Sequence, residues 1–211
     1  MQQNQDIIRA ADVAEAVAGR RRPIEVCGLS GSERAFILSA IQARQRTSML
    51  VITASPEEGQ RLADDLRFFS QSQKLAVEIF PSYHLLPFKF LSYHNQTASE
   101  RIRVLYRLMS EAEPLVVVTT APALLQRLVP RQELSRYAEL IQVGEEIERE
   151  QLIAKLISFG YLRTAIVEEP GDFSVRGGIV DVFSPLYPDP LRIEFFGDRV
   201  ESLRFFGAAD Q

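Results

Sequence analysis

Across the first 130 residues, short apolar runs alternate with amphipathic stretches, and this rhythm limits the fold more than any other feature of the chain. It predicts β-strands joined by crossover helices around a mostly parallel sheet. The expected strands are "PIEVC" (23–27), "SMLVIT" (48–53), "LAVEIF" (75–80) and "LVVVTT" (115–120). Each is a short apolar run, as strands are when helices cover both faces of their sheet. Between the second and third runs, "SPEEGQRLADDLRFFS" reads as a helix. Ser55 and Glu58 supply a capping box, Pro56 takes the first helical position, and Leu62, Leu66 and Phe69 fall on one face. "SERIRVLYRLM" sets Ile102, Leu105, Tyr106 and Met109 at helical spacing just before the run at 115. The connection 81–98, "PSYHLLPFKFLSYHNQTA", has neither period; Tyr83, Phe88, Phe90 and Tyr93 are expected to pack it onto its own domain.

After "RLVPRQE" (127–133) the pattern changes. "YAELIQV" reads as a strand and "EREQLIAKLISFG" as a helix stopped at Gly160. "RTAIVEEPG", "GGIVDVFSP" and "LRIEFFGDRVESLRFF" then predict an antiparallel sheet, with Gly197-Asp198 as a two-residue hairpin turn. The expected organisation is therefore an α/β domain over 1–130 and a smaller α+β domain over 131–211, cut from a longer chain.

Composition narrows the function. A formal net charge of -4 and a pI near 5.4 give no bulk attraction for phosphate backbones, which disfavours direct DNA binding. The single cysteine, Cys27, placed in the first apolar run, excludes a disulfide framework within the chain and points to a reducing, cytoplasmic setting. No apolar run approaches the roughly 18 residues a membrane helix needs, so no membrane partner is expected. His84 and His94 lie ten positions apart with no third ligand pattern, so no metal site is expected.

"CGLSGSERAF" (27–36) has the outline of a phosphate-binding loop between a strand and a helix. Such a loop reads G-x-x-x-x-G-K-[ST], its backbone amides wrapping phosphate, its lysine reaching the β and γ phosphates and its hydroxyl holding magnesium. Gly28 fits, and Gly31 and Ser32 lie within the loop. However, Glu33 replaces the second glycine, Arg34 the lysine and Ala35 the hydroxyl residue. Glu33 sets a like charge where a triphosphate would lie, and Ala35 cannot hold a metal. No nucleotide or other cofactor is expected, and no catalytic constellation occurs elsewhere.

The stretch 159–206 is the most distinctive: "FGYLRTAIVEEPGDFSVRGGIVDVFSP", then "PLRIEFFGDRVESLRFF". "RGG" permits a tight bend after a strand, and Ile179, Asp181 and Phe183 alternate with Val180 and Val182. Arg176, Arg192 and Phe196 fall on adjoining strands, a combination enriched at binding hot spots. The plain alternative pairs Arg192 with Glu194 or another carboxylate and puts Phe196 in the core.

The pattern G-Y…V-x-x-x-G-x-F-x-x-R-G-G-I-x-D-[VI]-[FY]-x-P, followed by R-I-E-[FL]-F and D-x-[VI]-[ED]-S-[LI]-R-x-F, resembles a module shared by two nucleotide-excision-repair families. One is the damage-verifying subunit UvrB and the other the bacterial transcription-repair coupling factor, Mfd. "FPSYHLLPF", "SERIRVLYRL" and "VVVTTAPALLQRLVP" are similar to the N-terminal region of the coupling factors, and the degraded loop agrees, because UvrB needs an intact one for its ATPase. The resemblance implies a RecA-like half-domain without nucleotide over about 20–130, and a UvrA-recruiting domain over about 131–211. It also implies that Arg176, Arg192 and Phe196 meet UvrA. RNA polymerase and DNA would be engaged, and ATP hydrolysed, by parts of the parent outside this chain, and the family continues past residue 211. The rival expectation is a nucleotide-dependent P-loop enzyme related to UvrB.

Overall fold

A computed structural model describes residues 9–19, 23–71, 75–83, 95–110, 113–136 and 141–207. The chain divides into two compact units, Met1–Ser82 with Ser110–Gln126, and Tyr83–Met109 with Arg127–Gln211.

In the first unit, α1 (Ala10–Ala18) and α2 (Glu33–Gln45) precede β1 (Met49–Thr53), α3 (Pro56–Phe69), β2 (Ala76–Phe80), β3 (Leu115–Thr120) and α5 (Ala121–Leu125); α4 (Asn95–Ser110) lies between β2 and β3 in the chain. The sheet order is β1-β3-β2 with both pairings parallel, as expected for βαβ units. All six residues of β3 are buried. Ala35 of α2, with Ala63 and Leu66 of α3, packs on Val77, Val116 and Val118, and Leu62 and Phe69 border the cluster as their helical spacing predicts. Burying side chains of the Val and Leu class contributes about 1.5–3 kcal/mol each. The Ser55 hydroxyl caps α3 by accepting from the Glu58 amide at 3.2 Å, while the Glu58 carboxylate accepts from the Ala54 amide, one residue before the position a reciprocal box would use.

The first expected strand is corrected. Residues 23–27 form no strand, and Cys27 is exposed rather than held in an apolar strand. An apolar run becomes a strand only when its backbone finds a partner, and 23–27, with all but Ile24 exposed, docks on neither outer edge of the β1-β3-β2 sheet. Among the described side chains of α4 the buried positions are Ser99, Arg101 and Val104, while Ile102, Leu105, Tyr106 and Met109 are half-buried. Tyr83 lies under the Arg101 guanidinium, 4.6 Å from ring centroid to carbon. Phe88, Phe90, Tyr93, His84 and His94 lie outside the described residues.

The second unit adds α6 (Arg131–Arg136), α7 (Arg149–Ser158) and a five-stranded sheet in sequential order: β4 (Leu162–Arg163), β5 (Asp172–Arg176), β6 (Ile179–Val182), β7 (Leu191–Phe196) and β8 (Arg199–Phe205). β5 through β8 pair antiparallel, but β4 runs parallel to β5, so the sheet is mixed rather than wholly antiparallel. α7 ends as its sequence predicts: Gly160 has φ +83°, its amide reaches the Ile157 carbonyl, and the Tyr161 amide reaches the Leu156 carbonyl. Leu152, Ile153 and Leu156 of α7 pack on Phe173, Val180, Ile193, Phe195 and Val200.

Two further strand expectations are corrected. Residues 137–140 of "YAELIQV" lie outside the described residues, and 141–143 form no strand but enter a turn at Gly144, φ +89°. Of "RTAIVEEPG", only Arg163 lies in a strand, because the Asp172 carboxylate accepts the Glu168 and Glu169 amides and folds that segment back on itself. The Gly197-Asp198 turn forms as expected, joining Phe196 to its partner Arg199.

Candidate functional site: the outer face of the five-stranded sheet

Strand alternation divides this sheet into two chemically opposite faces. Phe173, Val180, Ile193, Phe195 and Val200 point to the α7 side, leaving Ser174, Arg176, Asp181, Arg192, Glu194 and Phe196 on the other. Register sets the cluster: Asp181 stands opposite Arg192 on β7 and Ser174 on β5, with Arg176 at the end of β5 nearby.

Asp181 is completely buried and holds both arginines. Arg192 Nε donates to Asp181 Oδ1 at 2.6 Å and its Nη2 to Oδ2 at 2.8 Å, while Arg176 Nη2 donates to Oδ2 at 2.7 Å. Burial alone would raise the Asp181 pKa, but the hydrogen bonds from Arg192 and Arg176, with their charges, outweigh it and hold the carboxyl below its ordinary value. The same contact raises the pKa of Arg192. The arginines differ in exposure: the side chain of Arg192 is 14% exposed and that of Arg176 45%. Phe206 lies against Arg192, its ring centroid 4.6 Å from the guanidinium carbon. Next to them, Glu194 accepts from Ser202 at 2.7 Å and from Arg204 at 2.8 Å, which holds its carboxyl below the usual range.

The structure thus puts Arg176, Arg192 and Phe196 on one face, and it resolves the alternative left open by the sequence. Half of that alternative holds, since Arg192 does pair with a carboxylate, the buried Asp181 rather than Glu194, but Phe196 is 79% exposed and not part of the core. Backbone geometry supports the arrangement at Gly178, where a Cβ would come within 2.8 Å of the Phe195 carbonyl oxygen and the Phe195 amide donates to Gly178 at 2.7 Å. Arg149 also ties the Gly177 carbonyl to the start of α7 at 2.6 Å. Sequence reasoning missed Asp181 as the hub, as well as Phe206. Its only available signal was an aspartate in a strand otherwise made of Ile and Val.

The loop at 28–35 is built differently. Gly28 and Gly31 have positive φ, and α2 begins at Glu33 as its sequence suggests, but from an irregular segment rather than a strand. Glu33 accepts the Ser30 amide at 2.7 Å, so a carboxylate of the chain itself takes a donor of the kind a phosphate would use. Arg34 pairs with Glu58, and Ala35 is buried in the core. The adjoining cleft, about 670 Å³, is lined by Arg34 and Arg61 but also by Glu58, Asp64 and Asp65. Among the described residues, no group of three or more His, Cys, Asp or Glu is arranged to hold a metal, and no helix is long and apolar enough to cross a membrane.

Residues 140–211 match the family described as the UvrB interaction domain. The chain is 34% identical over 203 residues, 94% of its length, to the transcription-repair-coupling factor of Myxococcus xanthus. It is 33% identical over 88% of its length to that of Bacillus subtilis, and 35% over 90% to that of Mycobacterium bovis. The chain spans only 16–17% of the length of these relatives.

Proposed function

Because the chain belongs to the transcription-repair coupling factors and carries a UvrB interaction domain at residues 140–211, we propose that it is a docking module that binds UvrA and performs no chemistry itself. The observation that carries this reading is the outer sheet face, where two arginines share one buried aspartate and, farther along β7 on the same face, Phe196 is left 79% exposed. An open phenylalanine on the same face as charge-assisted donors matches the make-up of protein-docking hot spots better than that of a core or a catalytic pocket. Residues 131–211 are the recruiting domain in this reading, and 1–130 a half-domain that holds no nucleotide. In the parent, parts outside this chain would supply an ATP-dependent motor and contacts to RNA polymerase and DNA, bringing excision repair to a stalled polymerase in the cytoplasm.

The test is a titration of the chain against purified UvrA, with UvrB as a second arm. Phe196→Ala is the cleanest variant, since an exposed ring contributes little to the fold. Arg176→Gln is the next. Removing Arg176 and Arg192 together would leave Asp181 as an unpaired buried carboxylate and confuse unfolding with lost docking. Each of the two single variants is expected to weaken UvrA binding about tenfold or more, Phe196→Ala at unchanged thermal stability and Arg176→Gln with a fold still held by the Arg192–Asp181 pair. Unchanged affinity in both would reject this face.

The rival reading, a P-loop enzyme, is tested by calorimetry with ATP and magnesium. No heat of binding is expected, in keeping with the Glu33 carboxylate on the Ser30 amide and the buried Ala35. Saturable micromolar binding would reinstate the enzyme.

A further inference from the structure

We propose that Asp181 is the positioning residue of the docking face, aiming the two arginines so that Arg176, rather than Arg192, gives its donors to a carboxylate of the docking protein. The inference rests on the docking reading above and divides roles that the sequence treated as equal.

A guanidinium carries five N–H donors in a fixed fork, so donors given to one carboxylate are withdrawn from any other. Arg192 gives Asp181 both Nε and Nη2, one flat side of it lies against Phe206, and only 14% of its side chain is exposed. It is fixed below and beside, with little left to offer. Arg176 reaches Asp181 through Nη2, and its side chain is 45% exposed. Its Nη2 contact tethers one end of the group while its exposed part faces solvent, which lowers the ordering cost of a bidentate contact to a carboxylate. Asp181 itself is fully buried and cannot touch a partner, so any effect it has on docking passes through the arginines.

A double-mutant cycle on the full 211-residue chain, titrated with purified UvrA, tests this. Asp181→Asn is expected to weaken binding about tenfold, the scale of one charge-assisted hydrogen bond. Arg176→Gln should do the same, and Arg176→Gln/Asp181→Asn should bind within about twofold of Arg176→Gln alone, because both changes remove one contribution. A merely structural aspartate would instead multiply the two losses. Wild-type affinity for Asp181→Asn, or multiplied losses, overturns the inference.

If Asp181→Asn does not fold, Asp181→Leu/Arg192→Met replaces the buried pair with apolar side chains and leaves Arg176 without its anchor. A folded protein that binds about tenfold more weakly supports the proposal. A folded protein with wild-type affinity overturns it. Failure of this inference is separable from failure of the docking reading: in the second case Phe196→Ala and Arg176→Gln leave UvrA affinity unchanged, whereas in the first they weaken it and Asp181→Asn either has no effect or multiplies the Arg176→Gln loss.

Discussion

Two arginine-carboxylate pairs, alike in chemistry, anchor the two regions of this molecule. Arg34 meets Glu58 beside the loop at 28–35, where the side chains are 51% and 32% exposed, and Arg192 meets Asp181 on the outer sheet face, where they are 14% and 0% exposed. At the first, water competes for both charges, and the pair is one contact among several at the mouth of a polar cleft. At the second, water has been removed from the carboxylate, so its partners are the only compensation for the cost of burying it. The same chemistry, an arginine against a carboxylate, therefore decorates one region and organises the other.

The sharpest way to break this comparison is to remove one guanidinium from each pair. Arg192→Ala should lower the unfolding free energy by about 3 kcal/mol, because Asp181 stays buried with only Arg176 to hold it. Urea denaturation measures this, and a loss under 1 kcal/mol would mean that the carboxylate finds water. Acid sharpens the same point. The folded pKa of Asp181 lies below its unfolded value, so it stabilises the fold above the ordinary aspartate pKa of about 4, and that stability is lost as pH falls through the folded value. The stability of wild type relative to Asp181→Asn should then shrink as pH falls below about 4, and a difference that stays constant on acidification would show the carboxyl to be unperturbed.

In the other region the expected effects are smaller and local. Ser55→Ala deletes the α3 cap and should cost about 1 kcal/mol in the same denaturation experiment. Arg34→Ala is expected to change stability by less than about 0.5 kcal/mol. A cost for Arg34→Ala as large as that for Arg192→Ala would erase the distinction between the two pairs.

Legibility from sequence divides along the same line. The α3 cap, the Gly160 stop and the Gly197-Asp198 hairpin were readable because each is decided within a few residues. The strand at 23–27 was misread because a five-residue apolar run carries no information about whether a backbone partner exists. The segment 164–171 was misread because the side chain of Asp172, just beyond it, captures two of its amides. On the outer face, Arg176, Arg192 and Phe196 could be named from residue type and family resemblance. Asp181 could not, since its role exists only after β6 is registered between β5 and β7. Phe206, beyond the end of β8, acquires its place over Arg192 in the same non-local way.

The tip of the β7–β8 hairpin is fastened from outside the hairpin. The Gly144 amide donates to the Val200 carbonyl at 2.8 Å, the Val200 amide to Glu145 at 2.9 Å, and the Ile147 amide to Asp198 at 2.7 Å. Phe196 stands one residue before this turn, at the end of a strand that carries a register shift between Glu194 and Phe195. The consequence is kinetic. In the docking reading, a ring on a tip already clamped to the segment ahead of α7 meets an incoming surface without waiting for a loop to close, so the association rate should be set by diffusional encounter and not by a conformational step.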